Sequence, residues 1–153
     1  MKVEPGQPMA GQLHYRAADY AFATEPRPAT SGASLTINEI ELMLDSCARV
    51  VAVEGYCPYP GWRKSTLRPP VSRPGILYAI PSSAVKPGVA VAIHPTDSRW
   101  SVLVDPESGW VRLGNDAPEN DREGVAFAPG AIAVLDGNGL RALWLHPEEI
   151  PPL

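Results

Sequence analysis

Thr36-Ile37-Asn38-Glu39-Ile40-Glu41-Leu42-Met43-Leu44-Asp45-Ser46-Cys47-Ala48-Arg49-Val50-Val51-Ala52-Val53-Glu54-Gly55 is the stretch on which the fold turns. At helical spacing, Ile37, Ile40, Met43, Leu44, Cys47, Val50 and Val51 share one face. Asn38, Glu39, Glu41, Asp45, Ser46 and Arg49 fall on the other. Thr36 with Glu39 three residues later has the form of a capping box, and Gly55 is placed to end a helix in a left-handed conformation. The competing reading is a β-hairpin of Ile40–Leu44 against Val50–Val53. Its second half is β-branched, but its turn, Ser46-Cys47-Ala48, has no glycine. The periodicity and the cap favour an amphipathic helix over about residues 37–54.

Outward from this stretch the chain changes character. Residues 1–35 are broken up by Pro5, Pro8, Pro26 and Pro28 and close on Ser31-Gly32-Ala33-Ser34, with only Leu13, Tyr15, Tyr20 and Phe22 as apolar anchors. They read as an extended, proline-rich arm for another protein chain or a second copy of this one, with residues 1–34 as the contact. From residue 76 onward short apolar runs alternate with turn residues. Ile76–Ile80, Val89–Ile93, Trp100–Val104, Trp110–Leu113, Ala131–Leu135 and Leu140–Leu145 read as strands, and the acidic stretch 114–124 reads as a loop. Asp136-Gly137-Asn138-Gly139 is the strongest hairpin signal, because glycine and asparagine accept positive φ cheaply. The expectation is a mainly β (α+β) fold. One N-terminal amphipathic helix packs on a small β-barrel or sandwich of six to seven short strands, forming a single domain over residues 36–153.

Composition narrows the class. The chain has 153 residues, enough for one domain with its own core. Eighteen prolines argue against a helical bundle, since each removes a backbone donor. No apolar run is long enough to span a membrane, and the start lacks the features of a signal peptide, so a cytoplasmic setting or an assembled particle is expected. The net charge of −4 conceals a segregation: residues 55–96 carry five cations and no anion, while residues 97–153 carry four cations and ten anions. An anionic partner would be met on the middle segment.

That segment holds the most distinctive passage, Tyr56-Cys57-Pro58-Tyr59-Pro60-Gly61-Trp62-Arg63-Lys64-Ser65-Thr66-Leu67-Arg68-Pro69-Pro70, with Arg73 just beyond. Tyr56, Tyr59 and Trp62 could stack on bases or sugars while Arg63, Lys64, Arg68 and Arg73 hold phosphates or carboxylates. The bland alternative is that the aromatics plug the barrel end and the cations pair with acids from residues 97–153. An acidic protein or a nucleic acid is the expected partner class.

Two enzymatic alternatives are present. Val50 to Tyr59 resembles the strand and active-site turn of glutaredoxins, whose motif is Cys-Pro-Tyr-Cys. The resemblance implies that Cys57 would be the reactive thiol, with its pKa lowered at a helix N-terminus. It covers about ten residues; Pro60 stands where the resolving cysteine would be, and Pro69, Pro70 and Pro74 crowd the helix that should follow. Cys57 is therefore read as a structural thiol, and Cys47 as a small hydrophobe on the helix face. His94 and His146 each end an apolar run before a proline, with Asp97, Glu148 and Glu149 close behind; converging strand ends would make them metal ligands. Without a nucleophile elbow, phosphate loop, dinucleotide fingerprint or zincin motif, the sequence calls for no cofactor. The reading is a non-enzymatic binding or assembly subunit of a larger complex, for which a phage or virus structural component is one fit.

Overall fold

A computed structural model describes residues 1–80, 86–94, 98–137 and 139–153. The stretch Thr36–Gly55 is the end of one strand and two that follow it, not a helix. After strand β4 (Ser34–Ile37), β5 (Ile40–Leu44) returns antiparallel and β6 (Val50–Tyr56) pairs with β5 in the register Ile40↔Gly55, Leu42↔Val53 and Leu44↔Val50. Ile40, Leu42, Leu44, Val50 and Val53 belong to the main core, whereas Met43 and Ala52 face each other on the opposite side, also buried. A strand pair buried on both faces has no polar alternation, so its apolar positions imitate a helical stripe.

The turn needs no glycine. Asp45 Oδ1 accepts from the amides of Cys47 and Arg49 at 2.9 and 3.0 Å, and Ala48 takes a positive φ of 65°. Thr36 lies in β4 rather than at a cap, and Glu39 pairs with Arg99 instead of closing a capping box. Gly55 terminates no helix. It sits within β6 at φ 120°, where a Cβ would come within 2.5 Å of the Glu39 carbonyl oxygen, so the β4–β5 turn can rest against it only because it is glycine.

Residues 1–35 are likewise part of the fold. Strand β1 (Lys2–Glu4) pairs with β9 (Ile76–Tyr78). Strands β2 (Gln12–Arg16) and β3 (Ala21–Glu25) form a hairpin, and β3 pairs with β6. Leu13 and Phe22 are buried in the main core, and Thr24 Oγ1 bridges to Val53 by accepting its amide proton and donating to its carbonyl. The prolines sit outside these three strands, where a missing donor costs no ladder bond. The expected extended arm is thus corrected: residues 1–35 supply strands to the sheets.

The remaining strands are β7 (Arg63–Lys64), β8 (Val71–Pro74), β10 (Ala90–Ala92), β11 (Ser101–Val104), β12 (Val111–Gly114), β13 (Glu123–Ala128), β14 (Ala131–Asp136) and β15 (Gly139–Leu145). They complete two larger sheets, ordered β10-β4-β5-β6-β3-β2 and β7-β11-β12-β15-β14-β13-β8. Both are open and mixed, and among the described residues no barrel closes; three edge strands (β10, β7 and β8) join in parallel and the other pairs in these sheets are antiparallel. The main core takes residues from both sheets, including Leu42 and Val53 from one and Val111, Leu113 and Leu143 from the other. The expected β14–β15 hairpin is present, closing with Asp136 opposite Gly139; Asn138 lies outside the described residues. Among the described residues no helix is long and apolar enough to cross a membrane.

Candidate functional site

The basic passage forms a strap across one sheet. Arg63 and Lys64 add β7 to one edge of the seven-stranded sheet, beside Leu103 and Val104. The chain then passes over the face turned away from the main core, where Leu67 is buried in a second apolar cluster with Ile132, Val134, Ala142 and Trp144. The Leu67 amide donates to Asp105 Oδ2 at 3.0 Å. This bond comes first, with those from the Glu107 and Ser108 amides adding to it, in holding the Asp105 carboxyl below the usual carboxylate range. The strap ends as β8, alongside β13 on the opposite edge.

Arg63, Lys64, Arg68 and Arg73 are therefore strung along a strap rather than gathered at one point. All four are exposed, and none forms an ion pair among the described residues. Elsewhere pairing is the rule. Lys2 meets Glu4, Arg16 meets Glu25, Arg27 meets Glu54, Arg49 meets Asp45, Arg99 meets Glu39, and Arg112 and Arg141 meet Asp116 and Asp121. Like the four strap cations, Arg122 and Lys86 are exposed without such a partner among the described residues. The alternative in which the strap cations pair internally with acids of residues 97–153 finds no such pair among the described residues.

The aromatics behave differently from the cations. Tyr56 is 49% exposed and meets Tyr20, itself exposed, edge to face at 6.3 Å. Tyr59 is half-buried. Trp62 is only 8% exposed, stacks on Phe22 and meets the edge of Tyr15 at 4.8 Å. It offers no open face on which a base could stack.

Cys57 is buried next to it, and Trp62 Nε1 donates to its Sγ at 3.3 Å. Burial pushes the thiol up to about 11, with the Trp62 hydrogen bond only partly opposing it. The residues after Cys57 form a short 3-10 turn at Tyr59–Gly61, not the helix whose N-terminus would stabilise a thiolate. Cys47 is exposed in the β5–β6 turn, contrary to its expected place on a buried helix face. Cys57, Trp62, Arg63 and Arg99 help to line a cleft of about 310 Å³ between the two sheets, with the Glu39–Arg99 pair at its side.

The histidines have different partners. His94 Nε2 accepts from the Asn38 amide at 3.0 Å and its ring stacks on Trp100. His146 Nε2 lies 3.1 Å from the Ser108 carbonyl and its ring meets Trp110. Glu148 turns to His14, at 3.2 Å, rather than to His146. Asp97 lies outside the described residues, and among those described no group of three or more His, Cys, Asp or Glu side chains is placed to hold a metal.

Sequence reasoning missed a buried polar cluster behind the strap. Arg112 on β12 is 1% exposed; its Nε donates to Asp121 Oδ2 at 2.9 Å, and its Nη atoms to the Asp116 carbonyl and carboxylate at 2.6 and 2.9 Å. Trp144 Nε1 donates to Asp121 Oδ2 at 2.7 Å, and Arg141 Nη2 to Oδ1 at 3.3 Å. Burial pushes the Asp116 carboxyl up, but the hydrogen bond from Arg112 and the charges of Arg141 and Arg112 outweigh it and hold it below its ordinary value. The one sequence signal was an arginine at the centre of an apolar run, Val111-Arg112-Leu113. The cluster pins residues 115–121 to the sheet and so places Arg122, whose carbonyl accepts from the Val71 amide at 3.2 Å, beside the strap. Between them is a cleft of about 510 Å³ bordered by Arg68, Pro69, Pro70, Val71, Pro118, Glu119 and Arg122.

No protein-family model matches this chain, and no curated protein matches it.

Proposed function

We propose that the chain is a non-enzymatic binding or assembly subunit that grips an acidic surface of a partner protein with its basic strap. The observation that carries this reading is the contrast in pairing: among the described residues four strap cations stand exposed without acid partners on a protein whose other arginines are mostly paired. Unpaired guanidinium groups on an anchored strap favour an anionic partner at low ordering cost. The burial of Trp62 weighs against single-stranded nucleic acid, which usually needs an open stacking platform.

Polyglutamate is the direct probe, with a DNA duplex of similar charge beside it. Binding of polyglutamate should weaken as salt is raised from low to physiological strength, because exposed charges are screened over about 8–10 Å there. The Arg63→Gln/Lys64→Gln/Arg68→Gln/Arg73→Gln variant should lose it while keeping its thermal midpoint. Unchanged binding by that variant would refute the reading, and a clear preference for the duplex would move the partner class to nucleic acid.

A further inference from the structure

We infer that the cleft between the strap and residues 118–122 is a seat for a phosphomonoester carried on an apolar group, clamped by Arg68 and Arg122. The inference rests on the strap being a binding face, and it adds a residue, Arg122, that lies outside the basic passage. Two guanidinium groups line one cleft, both exposed and neither ion-paired among the described residues, although Glu119 lines the same cleft. Asp121 also borders it, but its carboxylate is buried and taken up by Arg112, Arg141 and Trp144, so its charge is answered from behind. What remains facing outward is a pair of planar forks against a single exposed carboxylate.

Charge selects the ligand. Each guanidinium can present two parallel N–H groups to an oxyanion. Two guanidinium groups bring two positive charges, which a phosphoryl group meets with up to two negative charges spread over three oxygens, whereas a carboxylate brings one. The rest of the wall is apolar: Pro69, Pro70 and Pro118, with Val71 at 80% exposure. A bare phosphate ion would leave that wall in water; a phosphate on a ring or other apolar group would cover it. Both sides of the cleft are held before any ligand arrives. Leu67 and the hydrogen bond its amide donates to Asp105 anchor the strap, and the Val71 amide ties it to the Arg122 carbonyl.

Phenyl phosphate is the probe, titrated into the full-length protein and followed by amide chemical shifts, with inorganic phosphate and benzoate as partial ligands. Phenyl phosphate should bind more tightly than either, with shifts centred on residues 66–71 and 118–122. Arg68→Gln and Arg122→Gln should each weaken it by about ten- to hundredfold, the range expected for losing a charge-assisted hydrogen-bonding partner. Lys86→Gln removes an equally exposed cation elsewhere and should change nothing. A phosphotyrosyl peptide and a nucleoside monophosphate carry the same chemistry, and the tighter of the two identifies the source.

Equal binding of benzoate would overturn the phosphoryl assignment, and full affinity in Arg122→Gln would overturn the clamp. If phenyl phosphate fails to bind while polyglutamate still does, the clamp falls and the basic strap stands. If polyglutamate also fails, the broader reading falls with it.

Discussion

Replacing Arg112 with alanine should cost about 3–5 kcal/mol, because it strands a buried carboxylate. In the native fold the Asp121 side chain has no solvent exposure and rests on three donors: Arg112, Trp144 and Arg141. Removing Arg112 leaves the other two, which keeps the cost toward the lower end of that range. Asp121→Leu strands Arg112 less severely, since the Asp116 carbonyl and carboxylate remain on its Nη atoms. It also orphans the Trp144 indole N–H, which by itself costs about 1–3 kcal/mol.

The double variant Arg112→Met/Asp121→Leu separates charge pairing from packing. With both charges gone, the main residual cost is the orphaned indole, so the pair should lose only about 1–3 kcal/mol. With Arg112→Met and Asp121→Leu as the single variants, the double-mutant cycle should then show a coupling of about 2 kcal/mol or more. Urea denaturation of the four proteins measures it, against a total stability of about 5–15 kcal/mol for a domain of this kind. Additive losses, or a loss below about 1 kcal/mol for Arg112→Ala, would refute the view that the cluster is a mutually dependent buried pair.

Two further outcomes follow from burial. Cys57 has a folded-state pKa raised from 9.0 to about 11, so its contribution to stability is complete below about pH 9 and is lost as pH rises toward 11; Tyr15, raised in the same direction by burial, extends the loss further. Stability should fall over that window less steeply in Cys57→Ala, and a thiol reagent at pH 8 should label exposed Cys47 quickly and Cys57 only on unfolding; equally fast labelling of both would contradict the buried site. Leu13→Ala should destabilise the whole domain by about 2–5 kcal/mol in a chemical-denaturation experiment. An unchanged midpoint would restore residues 1–35 to the status of an appendage.

From residue 76 onward, β11, β12, β14 and β15 were legible because each pairs with a sequence neighbour across a turn; β9 and β10, which pair with the remote β1 and β4, showed only as short apolar runs, and β13 was not read as a strand. Ala131–Leu135 and Leu140–Leu145 flank a glycine-rich loop, and the acids of 114–124 mark a connection. The first half was not, for reasons of context. β5 and β6 are interior strands with apolar residues on both faces, so the period of two was hidden, and their turn is made by the Asp45 side chain with Ala48 at positive φ instead of by glycine. In residues 1–35 the decisive contacts are remote in sequence: the Leu13 carbonyl accepts from the Glu148 amide, and the Tyr15 hydroxyl donates to the Cys57 carbonyl. For the site, the cations could be read from charge alone. Their lack of acid partners, and the burial of Trp62, could not. Arg122 was concealed by Glu119, Asp121 and Glu123, because sequence neighbours suggest a neutralised charge where the fold sends Asp121 inward.

That inward turn bears on how the strap can work on an acidic protein. The four strap cations sit against −8 from the rest of the chain, so an acidic partner is repelled by the molecule as a whole at long range. Attraction wins only within about a Debye length, where the unpaired strap is closer than the surplus acids. Salt screens both contributions, but the long-range repulsion is screened first. Affinity for a partner that contacts only the strap should therefore vary weakly at very low salt and fall more steeply once the Debye length approaches the contact distance. A strap whose cations were neutralised by neighbouring carboxylates would leave only the repulsion, and binding would strengthen as salt was added. The sign of the salt dependence thus tests the unpaired state of Arg63, Lys64, Arg68 and Arg73 themselves, independently of which acidic partner is used.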